Sequence, residues 1–211
     1  MIELDSLSSS YGTSQIADLT HVCASGATCL IVCIGITPPS DMESFSVSYE
    51  GEAMTFAGGA SVDNQGDNTG VTTTVWYIGN PPVGTGTVSV SFNQECNFAI
   101  AATSYSGTSS ANPIFKTRCG VGQNVKELPV QSFLKTGCLT IGVGTTDKLK
   151  SYVSELTQGQ FEAYDVKPSG IDVRMQGIGA YSPFDMDPVE VNNSLTEVAD
   201  WAILIYGIEA S

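Results

Sequence analysis

Eight residues, Cys29–Ile36 (CLIVCIGI), form an almost unbroken apolar run that Pro38-Pro39 stops just afterwards. The run is too short for a helix of usual length and rich in β-branched side chains, so it predicts a central strand buried on both faces. Trp201–Ile208 (WAILIYGI) shows the same pattern near the end of the sequence. Strict alternation supplies the complementary signal. In Ser44–Glu50 (SFSVSYE), Phe45, Val47 and Tyr49 share one face, and in Gly86–Phe92 (GTVSVSF) so do Val88, Val90 and Phe92. Further strands are predicted at Ala53–Phe56, Val71–Ile78, Asn97–Tyr105, Val125–Phe133, Cys138–Val143 and Phe161–Val166, and Ile171–Met175 precedes a Gly-rich link at Gly177–Ala180. The Ser/Thr-rich start, residues 3–22, reads as an edge strand or an arm.

Leu149, Tyr152, Val153 and Leu156 stand at i, i+3, i+4, i+7, which predicts one short helix within Asp147–Thr157. Pairing of Ser151–Leu156 as a strand is the alternative. With about ten short strands and no strand–helix–strand series, the class is all-β, and two facing antiparallel sheets in a sandwich satisfy both kinds of strand. No long Pro/Ser linker divides the chain and no exact short repeat occurs, so residues 1–211 are expected to form a single domain.

Charge is unevenly placed. The net charge is −14, no Lys or Arg precedes Lys116, and residues 1–115 hold ten carboxylates. Such a surface repels a nucleic-acid backbone, so no direct nucleic-acid partner is expected. No stretch reaches the length of apolar residues that spans a bilayer, so no membrane insertion is expected either. Met1–Leu7 lacks the positive flank and apolar run of a secretory signal.

Candidate sites are few. The single histidine, His21, excludes a multi-histidine metal site and reads as a strand-edge hydrogen-bonding residue; no catalytic set is predicted. Asp63, Asn64, Asp67 and Asn68 offer oxygen ligands in a polar loop, the chemistry calcium takes, and Asp185, Asp187 and Glu190 are a second such group. No other cofactor is implied. Trp76, Tyr77, Tyr181 and Phe184 are the aromatic candidates for stacking on a sugar. Lys116, Arg118 and Lys126, the first positive charges, could meet the acidic first half of a neighbouring copy. Of the six cysteines, Cys29 and Cys33 face the same way along a strand but lie roughly 13 Å apart, too far to bridge. Most of the six read as small buried hydrophobes, although one or two bridges stay open.

Several stretches resemble a β-sandwich module of phage virion proteins and bacterial surface or secreted proteins. They are Thr20-His21-Val22, Ser25–Ile36, Val47–Thr55 (VSYEGEAMT), Val75–Val90 (VWYIGNPPVGTGTVSV), the close at Ser104–Gly107 and the last strand at Asp200–Glu209. The resemblance covers residues 19–107 and is thin from 108 to 199. It implies a jelly-roll-like sandwich used for building, decorating or attaching, and names no ligand. Without a secretory signal, the expectation is a virion structural protein, a capsid, decoration or tail-associated subunit acting as a homo-oligomer or with other virion proteins. A carbohydrate-binding or adhesive module at the cell surface is the alternative.

Overall fold

The computed structural model describes residues 1–38, 45–64, 69–133, 138–147, 152–154, 160–181 and 188–211. Among them the chain is all-β, with every ladder antiparallel and no helix. The first sheet holds β1 (Glu3–Cys23), β2 (Ala27–Thr37), β3 (Ser46–Tyr49), β4 (Glu52–Ala53), β5 (Thr55–Asn64), β6 (Thr69–Gly79) and β7 (Gly84–Ser106). The second holds β8 (Ile114–Phe133), β9 (Leu139–Thr146), β10 (Tyr152–Ser154), β11 (Gln160–Val166), β12 (Arg174–Tyr181) and β13 (Pro188–Ile208).

The two sheets are built on one plan. Across the first the order is β1–β7–β2–β6–β5, and across the second β8–β13–β9–β12–β11. The irregularities match as well. Ala57 is skipped between Phe56 and Gly58 in the β5–β6 ladder, as Ala163 is between Glu162 and Tyr164 in β11–β12. Asp5 is passed over opposite Tyr105 and Ser104, and Phe115 opposite Ile208 and Gly207. Gly12 pairs with Phe98, and Gly122 with Trp201. Bulges re-aim a strand at fixed positions, so their coincidence identifies Phe98 with Trp201 and Asn97 with Asp200 as structural counterparts. The absence of an exact short repeat in sequence thus conceals a repeated topology.

Strand β2 is central in its sheet, as its apolar run requires. Leu30, Val32, Ile34 and Ile36 point into one apolar cluster, and Cys29, Ile31 and Cys33 into another. Each fully buried Leu or Ile contributes about 1.5–3 kcal/mol. The second cluster joins the sheets, because Leu139, Ile141, Val143, Leu204 and Tyr206 enter it from the other side. A buried polar contact crosses the same interface: Thr73 Oγ1 lies 2.7 Å from Thr145 Oγ1 and 3.0 Å from the carbonyl oxygen of Ala202. The first cluster lies on the opposite face, closed by the sheet curling on itself. β1 and β7 pair along nearly their whole length and shift register together at Ser14/Ile16, so Ala17, Leu19, Val88 and Val90 join the core under β2.

The structure corrects several local expectations. The predicted helix is absent: Tyr152–Ser154 is strand β10, paired with Asn193–Leu195, while 148–151 and 155–159 lie outside the described residues. The helical spacing of apolar residues is overridden by the free ladder edge of β13. Gly86–Phe92 and Asn97–Tyr105 are parts of one strand, β7, and β1 pairs with both parts, its register jumping between Ser14↔Cys96 and Ile16↔Ser91. Gly177–Ala180 is not a link: β12 begins at Arg174 and runs through it. Gly177 and Gly179 lie beneath the rings of Tyr164 and Phe161 from β11, so these glycines make room for aromatic side chains within a sheet.

Candidate functional site

Polar side chains converge where the β1–β7 ribbon folds back. Pairing places His21 opposite Gly86 on the far half of β1, and Ser8 opposite Ala102 on the near half. The curl brings them together: Ser8 Oγ lies 3.0 Å from His21 Nδ1, and Ser104 Oγ lies 3.1 Å from His21 Nε2. Ser104 donates its proton to Asp5 Oδ2 at 2.7 Å, and the Ala24 amide donates to the same oxygen at 2.9 Å. Because the Ser104 hydroxyl gives its proton to Asp5, it accepts from His21 Nε2–H, and Nδ1 then accepts from the Ser8 hydroxyl. The ring is therefore held as the neutral Nε2–H tautomer.

His21 and Ser104 are fully buried. Burial lowers the imidazole pKa, and the Asp5 carboxylate opposes that in part. The carboxylate bonds to serine and not to histidine, the reverse of the order in which an acid orients a base toward a nucleophile. What this chain of contacts does is fasten the two halves of β1 to the end of β7. At the corresponding point of the second sheet, Phe115 packs over Gly207 in place of Asp5 bonded to Ser104.

The long ribbon strands form the other feature. Among the described ladders β1 pairs with β7 alone and β8 with β13 alone, so each stands at a sheet edge. Leu4, Leu7, Tyr11, Ile16 and Val22 are exposed along β1, and Val121 and Val125 along β8. Arg118 and Lys126 are exposed on β8, and Lys116 lies on the same strand. The first sheet, by contrast, contains no Lys or Arg.

The remaining sequence candidates are scattered. Trp76 is a core residue: its indole N–H donates to Thr74 Oγ1 at 3.1 Å and its ring lies 4.9 Å from that of Phe56, so it offers no exposed platform. Tyr77 is half-buried against the shared core. Tyr181 ends β12, and Phe184 lies outside the described residues. Asp63 and Asn64 end β5, with Asp63 exposed, whereas Asp67 and Asn68 lie outside the described residues, as do Asp185 and Asp187; Glu190 lies on β13. No group of three or more His, Cys, Asp or Glu among the described residues could hold a metal ion. None of the six cysteines is in a disulfide; five are buried and Cys119 is exposed. Burial pushes Cys33 up to about 11 and Cys96 up to about 12.

Sequence reasoning missed the partners of His21, since Ser8, Ser104 and Asp5 come together only through the curl. It also missed the ion pair of buried Arg174 with the more exposed Asp165, a contact between neighbouring strands. No helix among the described residues is long and apolar enough to cross a membrane. No family model, curated protein or solved structure matches the chain.

Proposed function

We propose that this chain is a structural subunit of a virion, a capsid, decoration or tail-associated protein that assembles with further copies of itself through its sheet edges. The observation that carries this reading is the pair of long edge strands, 21 residues in β1 and 20 in β8. A strand edge with no ladder partner is a template for pairing with another chain. Here β1 adds exposed apolar side chains, and the two edges differ in charge. β1 carries Glu3, Asp5 and Asp18 with no Lys or Arg, while β8 carries Lys116, Arg118 and Lys126 against the single acid Glu127.

Opposite charges favour β1 of one copy against β8 of the next, a head-to-tail contact that closes into rings or propagates. The jelly-roll-like assignment belongs to the same proposal, supported by the resemblance of residues 19–107 to phage and bacterial surface modules. Sedimentation velocity over a concentration series tests it. The wild type should gain mass with concentration, and Arg118→Glu/Lys126→Glu should hold the mass of one subunit. A wild type that remains a strict monomer at the highest concentration sinks the reading.

A further inference from the structure

The two halves of β1 are held in different ways. Ala17, Leu19, His21 and Cys23 are buried on the far half, whereas no residue from Glu3 to Ser14 is buried. Leu4, Leu7 and Tyr11 are about half exposed, and the less exposed positions among them include Ser8, Ser10 and Gly12. Apolar anchors bracket this stretch: Ile2 sits in the shared core and Ala17 in the cluster under β2. Between the anchors the stretch is held by its ladder to Cys96–Ser106 of β7, by an exposed bond from Thr13 to Asn97, and by Asp5 and Ser8 of the histidine network. At the matching place in the second sheet Phe115 covers Gly207, a clasp without a titratable group.

We propose that Glu3–Ser14 is a proton-operated strap: when His21 takes up a proton the stretch lifts from β7 between its anchored ends and bares the β7 edge beneath it. The neutral ring accepts from Ser8 at Nδ1 and donates to Ser104 at Nε2. A proton added at Nδ1 turns that acceptor into a donor facing the Ser8 hydroxyl, and it places a charge at a fully buried position. Lifting the stretch withdraws Ser8 and Asp5 together and opens the ring to water. A segment with few buried apolar contacts opens locally before the core does. Around the ring stand Asp5 and Cys23 on β1, Tyr49 on β3 with Glu50 beside it, and the hydroxyl of Ser104 on β7. Burial raises the Cys23 thiol and the Tyr49 phenol, so neither titrates below about pH 7.5. Burial lowers the imidazole, with Asp5 opposing in part, so the lifted form takes up the proton first as pH falls. This inference is independent of the assembly proposed above.

Amide hydrogen exchange at pH 7.5, 6.5 and 5.5, at one low protein concentration and corrected for the intrinsic pH dependence of exchange, tests it. Protection of the Glu3–Ser14 amides that donate to β7 should fall by up to about tenfold per pH unit below about pH 6.5. Protection in β2, and in Ile114–Asn124 of β8, should hold over the same range. His21→Gln has no proton to gain and should remove the pH dependence from Glu3–Ser14. Thermal melting confirms that the variant is folded, and the wild-type contrast between Glu3–Ser14 and β2 stands without it. The imidazole proton resonances of the wild type, followed by NMR, should titrate below about pH 6.5. Equal losses in Glu3–Ser14 and β2, protection indifferent to pH, a loss as steep in folded His21→Gln, or an imidazole that titrates at its ordinary value would each overturn the proposal.

Discussion

The indole of Trp201 lies directly over Gly122, so close that a Cβ on the glycine would fall among the ring atoms. The two residues face each other across the β13–β8 ladder. An aromatic ring covering an edge glycine is a way of pinning register in a sheet. Gly122→Ala should therefore act as overpacking and cost about 2 kcal/mol. The matching change Gly12→Ala meets Phe98 Cζ at 3.1 Å, a contact that a small ring movement relieves, and should cost about 1 kcal/mol or less. Urea denaturation of both variants gives the comparison. Equal costs would mean that the second sheet yields as readily as the first.

Burial of His21 predicts a pH dependence with a definite sign. Its pKa in the folded chain lies below the ordinary value, so the unfolded chain takes up a proton first as pH falls. The stability tied to the neutral ring is fully present above about pH 6.5 and is lost as pH falls through the folded value. Asp5, Cys23 and Tyr49 are the titratable groups beside the network, and Asp5 partly offsets the burial that lowers the ring. Urea midpoints at pH 7.5, 6.5 and 5.5 should fall more steeply for the wild type than for His21→Gln. Parallel slopes would show that the ring does not titrate with unfolding.

Arg174 and Asp165 form a two-pronged pair, Nε to Oδ1 at 2.9 Å and Nη2 to Oδ2 at 2.6 Å, with side chains 6% and 25% exposed. The unequal exposure predicts unequal costs. Asp165→Ala strips a buried guanidinium of its carboxylate and should cost about 3 kcal/mol. Arg174→Met leaves a carboxylate that water can still reach and should cost about 1 kcal/mol. Thermal or urea unfolding of the two single variants decides it, and the reverse order would contradict the account.

Much of the first sheet is legible in the sequence because each strand there carries its own signal. Cys29–Ile36 can only be buried on both faces, and the alternation through Val88, Val90 and Phe92 survives as three side chains in one core cluster. The second sheet is legible only in part, because its glycines mislead. Gly177 and Gly179 read as turn supply until the rings of Tyr164 and Phe161 are seen above them, and that relation runs between strands. The repeated plan is hidden for the same reason. Phe98 and Trp201, or Thr103 and Tyr206, keep position and change size, so register reveals what residue identity does not. Lys116, Arg118 and Lys126 stand out from charge alone and fall together on β8, whereas the His21 network requires the fold.

If β1 and β8 are the assembling edges, as proposed, amide hydrogen exchange at low and high protein concentration detects their pairing. Edge amides without a ladder partner exchange fast, and pairing with a second copy slows them. The account predicts new protection at high concentration in Glu3–Cys23 and Ile114–Phe133, absent from Arg118→Glu/Lys126→Glu. Protection that appears instead along β5 and β11, or no concentration dependence anywhere in the chain, would contradict it.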